Sequence, residues 1–112
     1  MFRNILRIPM LAAALFPGFA VAENLDAIRA QTASALASAD YVRKHCPNRK
    51  IDDGKLTSLV KRSKWSLDQL RADESYEEQD LVLKTMHKDK GPAIICLVIS
   101  KAHGGYARGV IQ

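Results

Sequence analysis

From Leu25 onward the chain places apolar or small residues at Leu25, Ile28, Thr32, Ala35, Ala39, Val42 and Cys46, in alternating steps of three and four. Asp26, Arg29, Gln31, Ser34, Ser38 and Arg43 fall off that line. The spacing predicts a helix with a narrow, alanine-rich contact stripe. Asn24 is placed to cap its start, and Pro47 forces the chain out of helical geometry after Cys46. A second, short helix is predicted after Asp52 or Asp53, with Leu56, Leu59 and Val60 on its apolar face and Lys55, Lys61, Arg62 and Lys64 on its wet one. Ser66 with Gln69 has the form of a capping box, and Trp65 can fold over Leu70 as a hydrophobic staple, so a third helix is expected over residues 67 to 73. Ser75 and Glu78 repeat the box. Acids then crowd the first turns of a fourth helix, while Lys84, Lys88 and Lys90 lie towards its far end, as the helix dipole favours. That helix should run to about His87 or Asp89 and bury Tyr76, Leu83 and Met86, helped by Leu81 or Val82.

The run Ala93-Ile94-Ile95-Cys96-Leu97-Val98-Ile99 fits either a buried strand or a helix buried on all sides. Helix is preferred, because no other run after residue 22 reads as a strand to pair with it. Pro92 also suits a helix first turn, and Gly104-Gly105 a stop. The tail from Tyr106 to Gln112 is expected to be extended or loosely docked.

Ahead of these elements, Arg3 and Arg7 precede an apolar block from Ile8 to Phe19, closed by Ala20-Val21-Ala22. This is the three-part pattern of a secretory signal with cleavage after Ala22. The block is too short and too interrupted by Pro9, Pro17 and Gly18 for a transmembrane helix, which needs about 20 apolar residues. Residues 1–22 are therefore expected to be removed, and residues 23–112 to form a single helical domain with no transmembrane segment.

Removal changes the charge. The signal holds two of the 17 Lys+Arg residues and none of the 12 acids, which leaves 15 against 12, a net +3 rather than the +5 of the whole 112-residue chain. Export also changes what the two cysteines mean, since an oxidising compartment favours disulfides. Cys46 and Cys96 lack the paired spacing of a metal or redox site. A bridge between them closes a loop of about 50 residues and removes roughly 4 kcal/mol of unfolded-state entropy on the chain-entropy model. The expected fold class is all-α, a compact bundle of four to five short helices with one disulfide.

Charge is segregated along the chain. Residues 43 to 64 carry Arg43, Lys44, Arg49, Lys50, Lys55, Lys61, Arg62 and Lys64 against Asp52 and Asp53, a local +6. Residues 68 to 80 carry six acids against Arg71, a local −5. Either the two segments pack together and neutralise one another, or Arg43, Lys44, Arg49, Lys50, Lys61, Arg62 and Lys64 form an interaction surface for an acidic partner. Nucleic acid is disfavoured, because the basic stretch carries no aromatic residue but Trp65 at its edge. Of the histidines, His45 adjoins Cys46, and His103 lies seven residues beyond Cys96, on the same helix face if helix continues; the two could gather near a disulfide. No nucleophile elbow, zinc-protease helix or phosphate loop is present. Adjacent acids on a helix diverge by about 100° and do not form a glycosidase pair. No catalytic residue, cofactor or metal is expected.

A cleavable signal, about 90 further residues, helices, and Cys46 and Cys96 joining early and late segments resemble the small single-disulfide helical periplasmic proteins of Gram-negative bacteria. The plan is similar to that of acid-stress chaperones and of immunity proteins that neutralise type VI amidases. Neither signature matches Tyr41-Val42-Arg43-Lys44-His45-Cys46-Pro47 or His103-Gly104-Gly105-Tyr106. The resemblance implies the compartment and the fold; the leading expectation for function is a periplasmic or secreted, non-enzymatic protein that binds another protein in the cell envelope through a helical face and a charged surface, as an inhibitor, an immunity protein or a stress chaperone. The alternative is a small envelope hydrolase or ligand-binding protein using His45, His103 or the acidic helix.

Overall fold

A computed structural model describes residues 24–112 of the chain; the expected signal, residues 1–22, lies outside them. Five α-helices follow in order: α1 (Leu25–His45), α2 (Asp53–Ser63), α3 (Leu67–Arg71), α4 (Glu74–Lys90) and α5 (Pro92–Val98). Two 3₁₀ turns, Ile99–Lys101 and Gly105–Ala107, close the chain. The fold is all-α, and the Cys46–Cys96 disulfide forms, with its Cα atoms 5.6 Å apart.

Helix α1 is the axis of the bundle. The side chain of Asn24 accepts the Ala27 N–H at its start, and α4, α2, α3 and the Gly105–Ala107 turn all pack on it. The expected stripe is buried from Ile28 to Cys46, but Leu25 is exposed and the burial is much wider than a stripe. Ala35, Leu36, Ala37, Ser38 and Ala39 are five consecutive buried residues, more than a full turn. Small side chains here let neighbouring helices approach from several sides at once, so the alanines do not define a face.

The next two helices start as the sequence predicts. Asp52 caps α2 by accepting the Lys55 N–H at 2.9 Å, and Leu56 and Leu59 are buried. Ser66 and Gln69 form the reciprocal capping box of α3. Helix α4 departs from expectation at its start: its cap is Asp73, whose carboxylate accepts the Ser75 N–H at 2.9 Å, so the helix begins before the Ser75 and Glu78 pair. An acid one residue before the first turn satisfies an orphan N–H and meets the positive end of the dipole. Leu83 is buried, with Tyr76 and Met86 packed against the core, but Leu81 and Val82 point away from it.

Gly91, at φ +80°, makes the turn between α4 and α5, and Pro92 takes the first helical position. The ambiguous run is a helix, though not one buried on all sides. Ile95 and, one turn on, Ile99 enter the core, whereas Ile94, Leu97 and Val98 are exposed. The helix tightens to 3₁₀ at Ile99, well before Gly104-Gly105. Gly105 instead permits a close approach. At φ +56° it lies so near Gln31 that a Cβ would sit 2.5 Å from the side-chain oxygen, which accepts the Tyr106 N–H. The tail is docked firmly rather than loosely. Lys50 and Gln112 exchange backbone hydrogen bonds at 2.8 and 3.1 Å, Asp52 N–H donates to Val110, and Val110 and Ile111 are buried.

Candidate functional site

The basic residues singled out from the sequence do not gather in one place. Helix α2 runs back along α1: Arg43 pairs with Asp53 at 2.8 Å at one end, and Arg29 donates to the Ser63 carbonyl at 2.8 Å at the other. An 11-residue helix at 1.5 Å per residue separates these ends by about 15 Å. Arg43 and Lys44 stand at the first end; Lys61, Arg62 and Lys64 stand at the second, with the Arg62 guanidinium 5.2 Å above the Tyr106 ring. Arg49 turns inward, donating from Nε to the Cys96 carbonyl at 2.6 Å and from Nη2 to the Leu97 carbonyl at 3.1 Å. It caps the C-terminal end of α5 and is held there. Lys50 contributes backbone to the tail pairing. Among the described residues, ion pairs join Arg43 with Asp40 and Asp53, Arg71 with Asp40, and Lys84 with Asp80. None of these joins a cation of residues 43 to 64 to an acid of residues 68 to 80.

Two polar clusters were not legible in the sequence. In the first, Asp40 on α1 receives both Arg71 bonds at 3.0 Å from the end of α3 and the Tyr76 hydroxyl at 2.7 Å from α4. Burial pushes the Asp40 carboxyl up, but the bonds from Arg71 and Tyr76 and the charges of Arg71 and Arg43 outweigh it, holding the group below the usual 3.8. The same arrangement, burial first and Asp40 second, raises the Tyr76 hydroxyl to about 12. Beside this knot, a groove of about 390 Å³ runs between α1 and α4. Its floor carries Tyr41, whose hydroxyl lies 2.8 Å from His87 Nδ1, and His45, whose ring is 4.7 Å from that of His87. Burial, the neighbouring His87 and Lys44 all lower the His45 pKa.

The second cluster reaches from the bundle interior to a groove of about 470 Å³ lined in part by Gln79 and His103. Ser38 is fully buried; its hydroxyl accepts from Gln79 Nε2 at 3.0 Å and lies 2.7 Å from His103 Nε2. With one proton and a second lone pair, the hydroxyl can donate to His103 Nε2 or accept from it. Burial lowers the His103 pKa and so favours the neutral ring. A serine beside a histidine is the first half of a hydrolase constellation, but this hydroxyl has no open side from which to meet a substrate. His45 borders the disulfide, lining the groove beside Cys46 and Cys96 with its carbonyl 3.6 Å from Cys96 Sγ, whereas His103 belongs to the separate Ser38 cluster, so the two histidines do not gather there. Tyr41 and His45 are four apart on α1, a spacing that shows they share a face; nothing in the sequence signals His87 as their partner. No group of three or more His, Cys, Asp or Glu side chains among the described residues is arranged to hold a metal.

The remaining unsatisfied surface is apolar. On α5, Ile94, Leu97 and Val98 are 44%, 65% and 49% exposed, spaced at i, i+3 and i+4 on the side opposite Ile95 and Ile99. A groove lined by Pro47, Arg49, Pro92, Ala93, Cys96 and Leu97 adjoins this ridge next to the disulfide. Large aliphatic side chains grouped in this way on a short helix mark an interaction surface more often than a solvated one. No helix among the described residues is long and apolar enough to cross a membrane. No family model matches the chain, and comparison with curated proteins and with solved structures finds no significant similarity.

Proposed function

We propose that the protein is exported and acts without catalysis, by presenting the outer face of α5 to a protein partner in the cell envelope. The observation that carries this is the exposed Ile94, Leu97 and Val98 ridge on a helix whose opposite side is built into the core. The disulfide and the Arg49 cap hold that helix in place before any partner arrives, so little ordering is needed on binding. Export rests on the signal pattern of residues 1–22 and agrees with a bridge suited to an oxidising compartment. The Ser38 hydroxyl beside His103 is fully buried and out of reach of a substrate, which favours binding over hydrolysis.

The test is a photo-crosslinking side chain at Leu97, with Ser58 on exposed α2 as control, in cells held at neutral and at acid pH. One discrete adduct at neutral pH from position 97 alone supports a stoichiometric partner, as for an inhibitor or immunity protein. A ladder of adducts appearing only in acid supports a stress chaperone. No adduct from position 97 at either pH, or equal labelling from position 58, refutes the α5 face.

A further inference from the structure

Helix α4 carries a second exposed face, independent of the α5 ridge and of the partner proposed for it. Leu83 is its buried residue; Leu81, two positions away, is rotated by about 200° and is 65% exposed. Glu74, Leu81 and Lys88 are spaced seven apart and lie on one line along that outer side, with Glu77 and Lys84 beside it on one flank. All five are exposed. The face is thus acidic before Leu81 and basic after it. Among the described residues, Glu74, Glu77 and Lys88 have no ion-pair partner, and Lys84 reaches only Asp80 on its own helix while remaining 73% exposed.

We propose that this face binds a second copy of the same chain, with the two α4 helices antiparallel and a two-fold axis at Leu81. About that axis, residue 81 meets residue 81, Glu77 meets Lys84 of the second copy on the same flank, and Glu74 meets Lys88 of the second copy. Each charged pairing occurs twice, and all four bring opposite charges together. Antiparallel packing also sets the two helix dipoles head to tail. A membrane of either charge meets one attractive and one repulsive half of the face, whereas a second copy satisfies both. The contact is isologous, as in the commonest dimers. A single helix pair is smaller than the roughly 1,200 Å² of a standard specific interface, so the dimer is a weak one that forms at high concentration.

Sedimentation equilibrium of the purified oxidised protein tests this, read from low to about 1 mM protein. The average mass is expected to rise towards twice that of one chain at about 0.1 M salt and to fall back at about 1 M, where screening shortens from about 10 to about 3 Å. Two charge-reversed variants decide the geometry: E74K/E77K and K84E/K88E should each remain monomeric, while their equimolar mixture should associate at least as well as the parent chain. Circular dichroism of both variants checks that the helices persist; the changed residues are exposed, and should either variant lose its fold, L81D in the parent chain supplies the same monomer test. A parent chain monomeric at about 1 mM in low salt overturns the proposal. So does association that survives both reversals, or a mixture of folded variants that stays monomeric. Capture of a different protein through Leu81 by a chain that remains monomeric overturns the second copy as occupant.

Discussion

Asp40 joins three helices, and its removal is a sharp test of how the bundle is held. Asp40→Ala deletes the acceptor of the half-buried Tyr76 hydroxyl and of both Arg71 bonds. The Tyr76 bond goes to a charged group in a part-buried place and contributes about 1.5 kcal/mol, the lower end for such bonds. The Arg71 pair has better geometry than a usual surface pair, but its side chains are 40% and 28% exposed, so screening limits it to about 1 kcal/mol. The variant should therefore be less stable by about 2–3 kcal/mol at neutral pH, which for a chain of this size lowers Tm by roughly 10–20 °C. Asp40→Asn keeps an acceptor for Tyr76 and should show about half the loss. Because the folded Asp40 pKa is depressed, its contribution is complete above about 3.8 and is lost as pH falls through the lower folded value. Urea unfolding followed by the single tryptophan, Trp65, under the Arg29 guanidinium, measures both chains. The gap between parent and Asp40→Ala should narrow progressively as pH falls below 3.8. A gap below about 0.5 kcal/mol at neutral pH, or one unchanged in acid, refutes the knot as a stabilising element.

Replacing both Cys46 and Cys96 by alanine opens a loop of 50 residues and should cost about 4 kcal/mol, seen as a lower urea midpoint; an unchanged midpoint contradicts the staple. Thr32 is fully buried with a hydroxyl that has no hydrogen-bond partner among the described residues, so Thr32→Val should be neutral or stabilising by about 1 kcal/mol, and a clear loss of Tm counts against the packing described. His45 and His103 both have folded pKa values below 6.5, so the unfolded chain binds more protons near that pH. Stability should therefore decline as pH falls through 6.5, and His103→Gln should flatten part of the decline; an identical slope rules out the buried ring as its source.

The parts of this fold legible in the sequence are those decided locally. The box of Ser66 and Gln69, the cap at Asn24 and the stop at Pro47 need only neighbours within a turn, and they form as the sequence predicts. Burial is decided by what arrives from elsewhere, and there the pattern misleads in two directions. The alanines of α1 read as a thin stripe, yet Ala35 to Ala39 are buried all round because α2, α3, α4 and the Gly105–Ala107 turn converge on that helix. That convergence also buries Thr32 and Ser38, and it explains why His103, sixty-five residues from Ser38, becomes its partner with no local signal. Conversely, the apolar run of α5 reads as core, yet with α1 already surrounded only one side of α5 finds anything to pack against. One helix taking so many neighbours leaves α4 and α5 with a single buried side each. The aliphatic residues on their outer sides, Leu81 on α4 and Leu97 on α5, are therefore the consequence of a bundle centred on α1, and the surfaces that association can still use.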